Sequence, residues 1–183
     1  MLTTLSPETS PRTFCRRELL PLEPDVLWLI DRGAVRTSTW NDDGSTITLG
    51  YWGSKDVVGM PLSRLSPYQI ECLTSVEATP LTREQWHILG EAMIRHCHQS
   101  EQLLHITRSG KIKQRLHYFL FWLSHKFGRV VDLGYLIDLR LTHQELADVI
   151  GTTRVTVTRL LREFEEEQVI ERVRGHLIIR QAG

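Results

Sequence analysis

Arg154, Val155, Thr158 and Arg159 fall at i, i+1, i+4 and i+5. That spacing places all four on one side of an α-helix. An arginine there can make two parallel hydrogen bonds to guanine O6 and N7, and valine and threonine methyls can pack on the thymine methyl. The neighbouring residues suit phosphate. Thr152 and Thr153 stand where that helix would begin, and Thr142 and His143 open an earlier one. Hydroxyls and unsatisfied N–H groups at helix starts are natural phosphate donors. The set points to the reading of duplex DNA.

Such side chains need a frame. Thr142-His143-Gln144-Glu145 has the form of a capping box and starts a short helix with an apolar face of Leu146, Ala147 and Ile150. Ala147 lets a second helix come close, and Gly151 permits a sharp turn. Thr153 then caps a recognition helix over 153–166, with Val157, Leu160, Leu161 and Phe164 at inward spacing. This is a helix-turn-helix pattern, whose second helix presents its first turns to base edges. Residues 169–179 read as two short strands around a tight turn, a wing with Arg174 and His176 at its tip. Glu163, Glu165, Glu166 and Glu167 would repel phosphate, so they are expected to face away from the nucleic acid.

Other chemistries find less support. Asp132, Asp138 and His143 lie near one another in sequence, but no nucleophile–base pair or phosphate loop accompanies them, so no enzymatic activity is expected. His96, Cys97, His98 and His105 lack i,i+4 ligand pairs, and adjacent residues do not converge on one ion. They are expected at a dimer interface or in solvent, with no metal and no cofactor. Cys15, Cys72 and Cys97 are odd in number and contain no Cys-x-x-Cys pair, which fits a reducing cytoplasm. Residues 1–11 lack a basic start followed by an apolar run, and no stretch is long enough to span a bilayer. Formal net charge is zero, which leaves nucleic-acid binding open because only a local basic footprint is required.

Upstream, the texture is α+β. Residues 1–20 read as a loose arm. Val26–Ile30, Ala34–Trp40, Ser45–Tyr51 and Ile70–Ala78 read as antiparallel strands, with a hairpin at Asn41-Asp42-Asp43-Gly44. Thr82-Arg83-Glu84-Gln85 is a further capping box. Residues 91–109 suit a long helix, and 111–127 a second one closed by Gly128 as C-cap. Trp28, Trp40, Trp52, Trp86 and Trp122 are expected as core or interface aromatics.

Leu139-Arg140-Leu141-Thr142-His143-Gln144-Glu145-Leu146-Ala147 and Arg154-Val155-Thr156-Val157-Thr158-Arg159-Leu160-Leu161 resemble the Crp/Fnr superfamily of transcription regulators, in particular its cyanobacterial nitrogen-control subgroup. The resemblance implies a truncated cupin-like antiparallel β-roll sensor (1–81), a helical connector and dimerisation helix (82–109), and a winged helix-turn-helix DNA-binding domain (110–183). Family members have more chain before the roll, so one or two strands are either missing or supplied by residues 12–25. The resemblance further implies a homodimer on a palindromic site, GTA/TAC-like half-sites in view of Val155, and RNA polymerase as a partner. A cyclic-nucleotide pocket would carry Gly-Glu-Leu followed by Arg-Ser. Gly59-Met60-Pro61-Leu62 has no such sequel, so cAMP is not expected. The 68–73 strand has no arginine for 2-oxoglutarate, and the effector stays unknown. The alternative reading is an effector- or protein-binding module whose winged helix contacts protein.

Overall fold

A computed structural model describes residues 10–180. In chain order its elements are β1 (Arg12–Phe14), β2 (Val26–Arg32), β3 (Val35–Trp40), β4 (Thr46–Trp52), β5 (Val57–Val58), β6 (Gln69–Cys72), β7 (Val76–Thr82), α1 (Gly90–Arg108), α2 (Ile112–Phe127), β8 (Gly128–Val131), β9 (Gly134–Ile137), α3 (His143–Ile150), α4 (Arg154–Glu166), β10 (Ile170–Val173) and β11 (His176–Arg180). Short 3₁₀ turns cover Met60–Leu62 and Arg83–Leu89. The chain divides into two compact units, Met1–Glu101 and Gln102–Gly183. All strand pairs are antiparallel, and the architecture is the α+β arrangement of strands, long helix and helix-turn-helix that the sequence implied.

The first unit holds two sheets, of order β1-β7-β2-β5 and β4-β3-β6. Period-2 alternation explains why Val26–Ile30 is apolar throughout. Trp28 and Ile30 face one core with Phe14, Val35, Trp52, Ile70 and Cys72. Leu27, from the opposite face of β2, packs with Val57, Leu81, Leu89 and Ala92. The Phe14 and Trp28 rings meet edge to face at 5.4 Å. Burial first, then the Glu18 and Glu71 carboxylates, push the Cys72 thiol up to about 12, so it behaves as an inert core side chain.

Three expectations change here. Part of the arm read as loose is ordered. β1 pairs with β7, Leu20 is 2% exposed, and residues 12–25 thus supply a strand of the roll. The expected Ile70–Ala78 strand is two strands, because Thr74 turns its hydroxyl to the Ala34 N–H (2.9 Å) and Leu73 donates to the Ala34 carbonyl (2.8 Å). Gly33, at φ +90°, passes so close that a Cβ would lie 2.2 Å from the Ser75 carbonyl oxygen. The expectation for residues 1–9 lies outside the described residues. His96, expected at an interface or in solvent, is half-buried within its own unit. Its ring stacks on Trp52 at 3.9 Å and its Nδ1 meets the Val57 carbonyl at 3.0 Å.

In the second unit, α2 buries Leu116, Phe119, Leu120 and Leu123. The sheet has order β10-β11-β9-β8. The β8–β9 hairpin was not anticipated, although Val130, Val131, Tyr135 and Ile137 are good strand formers. Gly128 is the C-cap of α2, as expected, but not in the left-handed conformation. Its backbone is extended (φ −108°), and it is glycine because a Cβ would lie 2.0 Å from the Ser124 carbonyl oxygen.

Candidate nucleic-acid interface

The helix-turn-helix is built by short-range rules. Thr142 starts α3 as N-cap: its Oγ1 accepts the Glu145 N–H at 3.1 Å, and its own N–H donates to Glu145 Oε2 at 2.6 Å. Gly151 ends α3 in the left-handed region (φ 71°, ψ 53°), and the Thr152 N–H returns to the Ala147 carbonyl at 3.0 Å. Thr153 then caps α4 by accepting the Thr156 N–H at 3.2 Å. Leu146, Ala147 and Ile150 of α3 and Val157, Leu160, Leu161 and Phe164 of α4 are all buried, as their spacing required. Burying such side chains contributes roughly 1.5–3 kcal/mol each before entropy is counted, which fixes α4 against α3.

The opposite side of α4 faces outward. Val155 there is 78% exposed. Arg154, Val155, Thr158, Arg159, Arg162, Glu165 and Arg172 line one concave surface of about 670 Å³. A second hollow is lined by Thr142, His143, Gln144 and Arg154. Arg154 belongs to both, so six of the nine sequence-derived residues adjoin. Thr153 caps the same helix. Thr152 sits in the turn, and Arg174 lies at the wing tip. There Arg174 (φ 50°) and Gly175 (φ 82°) make the two-residue connection between β10 and β11. His176 does not point outward from the tip. Its Nδ1 meets the Ile137 carbonyl at 3.2 Å, and Arg140 donates to its Nε2 at 3.4 Å.

Polar contacts order this surface. His143 Nδ1 lies 2.7 Å from Thr158 Oγ1, and the Thr158 hydroxyl donates to the Arg154 carbonyl at 2.9 Å. With that proton committed, the network assigns the Nδ1–H tautomer to His143. Partial burial, then Arg172 and Arg154, hold the ring below the ordinary histidine range, against an opposing pull from Glu165.

The acidic cluster does not simply turn away. Glu163 pairs with Arg159 one turn back and with Lys113 of α2 at 3.5 Å, and Glu167 takes Lys113 at 2.5 Å. Glu165 lies on the same concave surface as the candidate readers, where it forms an ion pair with Arg172 Nε at 2.8 Å. Arg162, Arg172 and Gln144 were missed by the sequence reading. Arg162 was recoverable, since it continues the Val155–Arg159 stripe at i+7. The neutral chain is also polarised. Residues 102–183 hold 13 Lys/Arg against 9 Asp/Glu, and residues 1–101 hold 9 against 13, a split of +4 and −4.

Comparison with known proteins agrees with this geometry. Residues 114–182 match the Crp-like helix-turn-helix domain. The chain is 42% identical to the regulatory protein CysR of Synechococcus elongatus over 97% of its own length and 90% of that protein's. It is 31% identical to the global nitrogen regulator of Nostoc over 86% and 79%. Among solved structures, a CRP-family transcriptional regulator from Thermus thermophilus superposes with a TM-score of 0.80 at 21% identity, covering 93% of this chain and 92% of that one. FixK2 from Bradyrhizobium japonicum gives 0.77 at 15%, covering 94% and 93%. These relatives are regulators of transcription and not enzymes, and no helix among the described residues is long and apolar enough to cross a membrane. A capped, glycine-turned helix pair that follows an antiparallel β domain in the chain, together with 42% sequence identity to CysR over 97% of the chain, places the protein in the Crp/Fnr family of transcription regulators.

Proposed function

We propose that the protein is a homodimeric, sequence-specific DNA-binding regulator that reads an inverted repeat. The observation that carries this is the outward face of α4, where Arg154, Val155, Thr158 and Arg159 share one concave surface next to two helix starts. Arg154 and Arg159 read guanine edges, and Val155 and Thr158 meet thymine methyls. Thr142, His143, Thr152, Thr153 and Arg174 contact phosphate and set the register. Thr142 remains a donor after capping, because its Oγ1 accepts from Glu145 and keeps its own proton. The resemblance of the Arg-Val-Thr-Val-Thr-Arg run to the nitrogen-control subgroup supports half-sites of GTA/TAC type.

The dimer forms through α1. Ile94 and Leu104 are 57% and 59% exposed, and Cys97 is exposed between them on the same helical face. A second copy of α1 covers that stripe and places two recognition helices roughly one DNA turn, about 34 Å, apart. Membership of the family supports RNA polymerase as a further partner. The test is selection of bound sequences from random duplexes, followed by titration with salt. An inverted repeat whose affinity falls steeply with salt supports the reading. Enrichment of no sequence, with weak salt-independent binding, refutes it.

A further inference from the structure

The concave surface holds more basic side chains than base reading requires. Arg162 lies eight residues beyond Arg154 on α4. At 1.5 Å per residue the two are separated by about 12 Å along the axis. That is about the width of the DNA major groove. A helix whose first turn meets base edges therefore brings its third turn to the groove wall, where only phosphate and sugar are in reach. Arg162 is exposed and makes no hydrogen bond or ion pair among the described residues.

Arg172 arrives at the same place from a different element. It stands on β10, and its Nε forms an ion pair with Glu165 Oε1 at 2.8 Å. Both side chains are about one-third exposed, at 39% and 33%. The pair uses the edge of the guanidinium at Nε, which leaves the terminal nitrogens of Arg172 as donors with no other partner among the described residues. Glu165 thus does two things. It anchors Arg172 beside Arg162, and its own charge is matched, so it does not oppose an incoming phosphate.

We propose that Arg162 and Arg172 form a phosphate grip at the distal wall of the groove, and that Glu165 is the positioning residue that holds Arg172 in it. The inference rests on the DNA-binding reading above and adds residues which that reading does not use.

The test measures binding of the full-length chain to its selected duplex and to a scrambled duplex of equal length, between roughly 50 and 200 mM salt. Arg172→Ala and Arg162→Ala should each weaken both duplexes alike. Each should also make the log–log salt slope shallower by about 0.9. Over that fourfold salt range the variant then loses about 3.5-fold less affinity than the wild type. Glu165→Gln should weaken binding in the wild type but not in the Arg172→Ala background, whereas a merely repulsive carboxylate would give tighter binding in both. Unchanged slopes in both arginine variants would overturn the grip, as would losses confined to the selected duplex. Absence of salt-dependent duplex binding by the wild type would instead remove the reading beneath it.

Discussion

His143 at the start of α3 and Thr158 in the second turn of α4 are joined at 2.7 Å across the outward side of the helix pair. The apolar contacts between Leu146, Ile150, Val157 and Leu160 lock the inner side, and this bond closes the outer one. It also couples a titratable group to the outward face of α4, because the Thr158 hydroxyl donates a hydrogen bond to the Arg154 carbonyl.

That coupling sets a pH dependence. The folded state holds His143 below its ordinary value through burial, Arg172 and Arg154. The folded chain therefore binds fewer protons at this site than the unfolded chain. Its contribution to stability is complete above the ordinary histidine value and is lost as pH falls below it. Phosphate bound beside His143, as proposed, should raise the ring's value, so that DNA binding takes up a proton. Imidazole NMR titration should show the His143 midpoint moving up on addition of duplex. A midpoint that stays put or moves down would contradict this.

Two glycines should respond differently to Ala. At Gly151 the added Cβ meets nothing nearer than Arg115 Nη1 at 4.0 Å, so the cost is the left-handed backbone alone, about 1–2 kcal/mol. At Gly128 the backbone is ordinary but Cβ would collide with the Ser124 and Leu136 carbonyl oxygens at 2.0 and 2.9 Å. That substitution should cost about 3 kcal/mol, the upper end of ordinary overpacking. Denaturant unfolding decides the order, and a milder Gly128→Ala would show the helix–hairpin approach to be looser than described.

The caps give a smaller effect. Thr153→Ala removes the acceptor of the Thr156 N–H and should lower stability by about 1 kcal/mol. Thr153→Asp should restore most of that stability while weakening DNA binding, since it brings a negative charge to a phosphate-facing helix start. Restored stability with unchanged affinity would place Thr153 away from the DNA backbone.

On the proposed pairing of α1, the chain should be a dimer in solution, and Ile94→Asp and Leu104→Asp should each make it a monomer without loss of secondary structure. Sedimentation velocity reads this directly, and a dimer retained in both variants would move the interface off α1.

What could be read in the sequence was what short-range chemistry determines. Thr142 with Glu145, Thr153 with Thr156, and the left-handed Gly151 each act within four residues. The buried set of α4 follows from helical spacing alone, and so the reading helix was placed to within a residue. What depends on distant pairing was not legible. Arg172 joins the interface only because β10 pairs with β11 and carries it to Glu165. Glu165 was expected to face away, but that arginine holds it on the concave surface. Gly128 was legible as the cap of α2, but part of its constraint comes from the Leu136 carbonyl on a following strand. The turn at Leu73–Ser75 is set by contacts to Ala34, some forty residues earlier.

The claim at the centre is that Arg154 reads a base and does more than add charge. The direct measurement is the ratio of affinities for the selected inverted repeat and a scrambled duplex, at fixed salt, for the wild type and for Arg154→Ala. The wild type should discriminate by about 10³-fold or more. Arg154→Ala should lose about 1–3 kcal/mol per half-site of affinity for the repeat, and change binding to the scrambled duplex far less. Equal losses on both duplexes, with the ratio preserved, would contradict the assignment of α4 as the recognition helix.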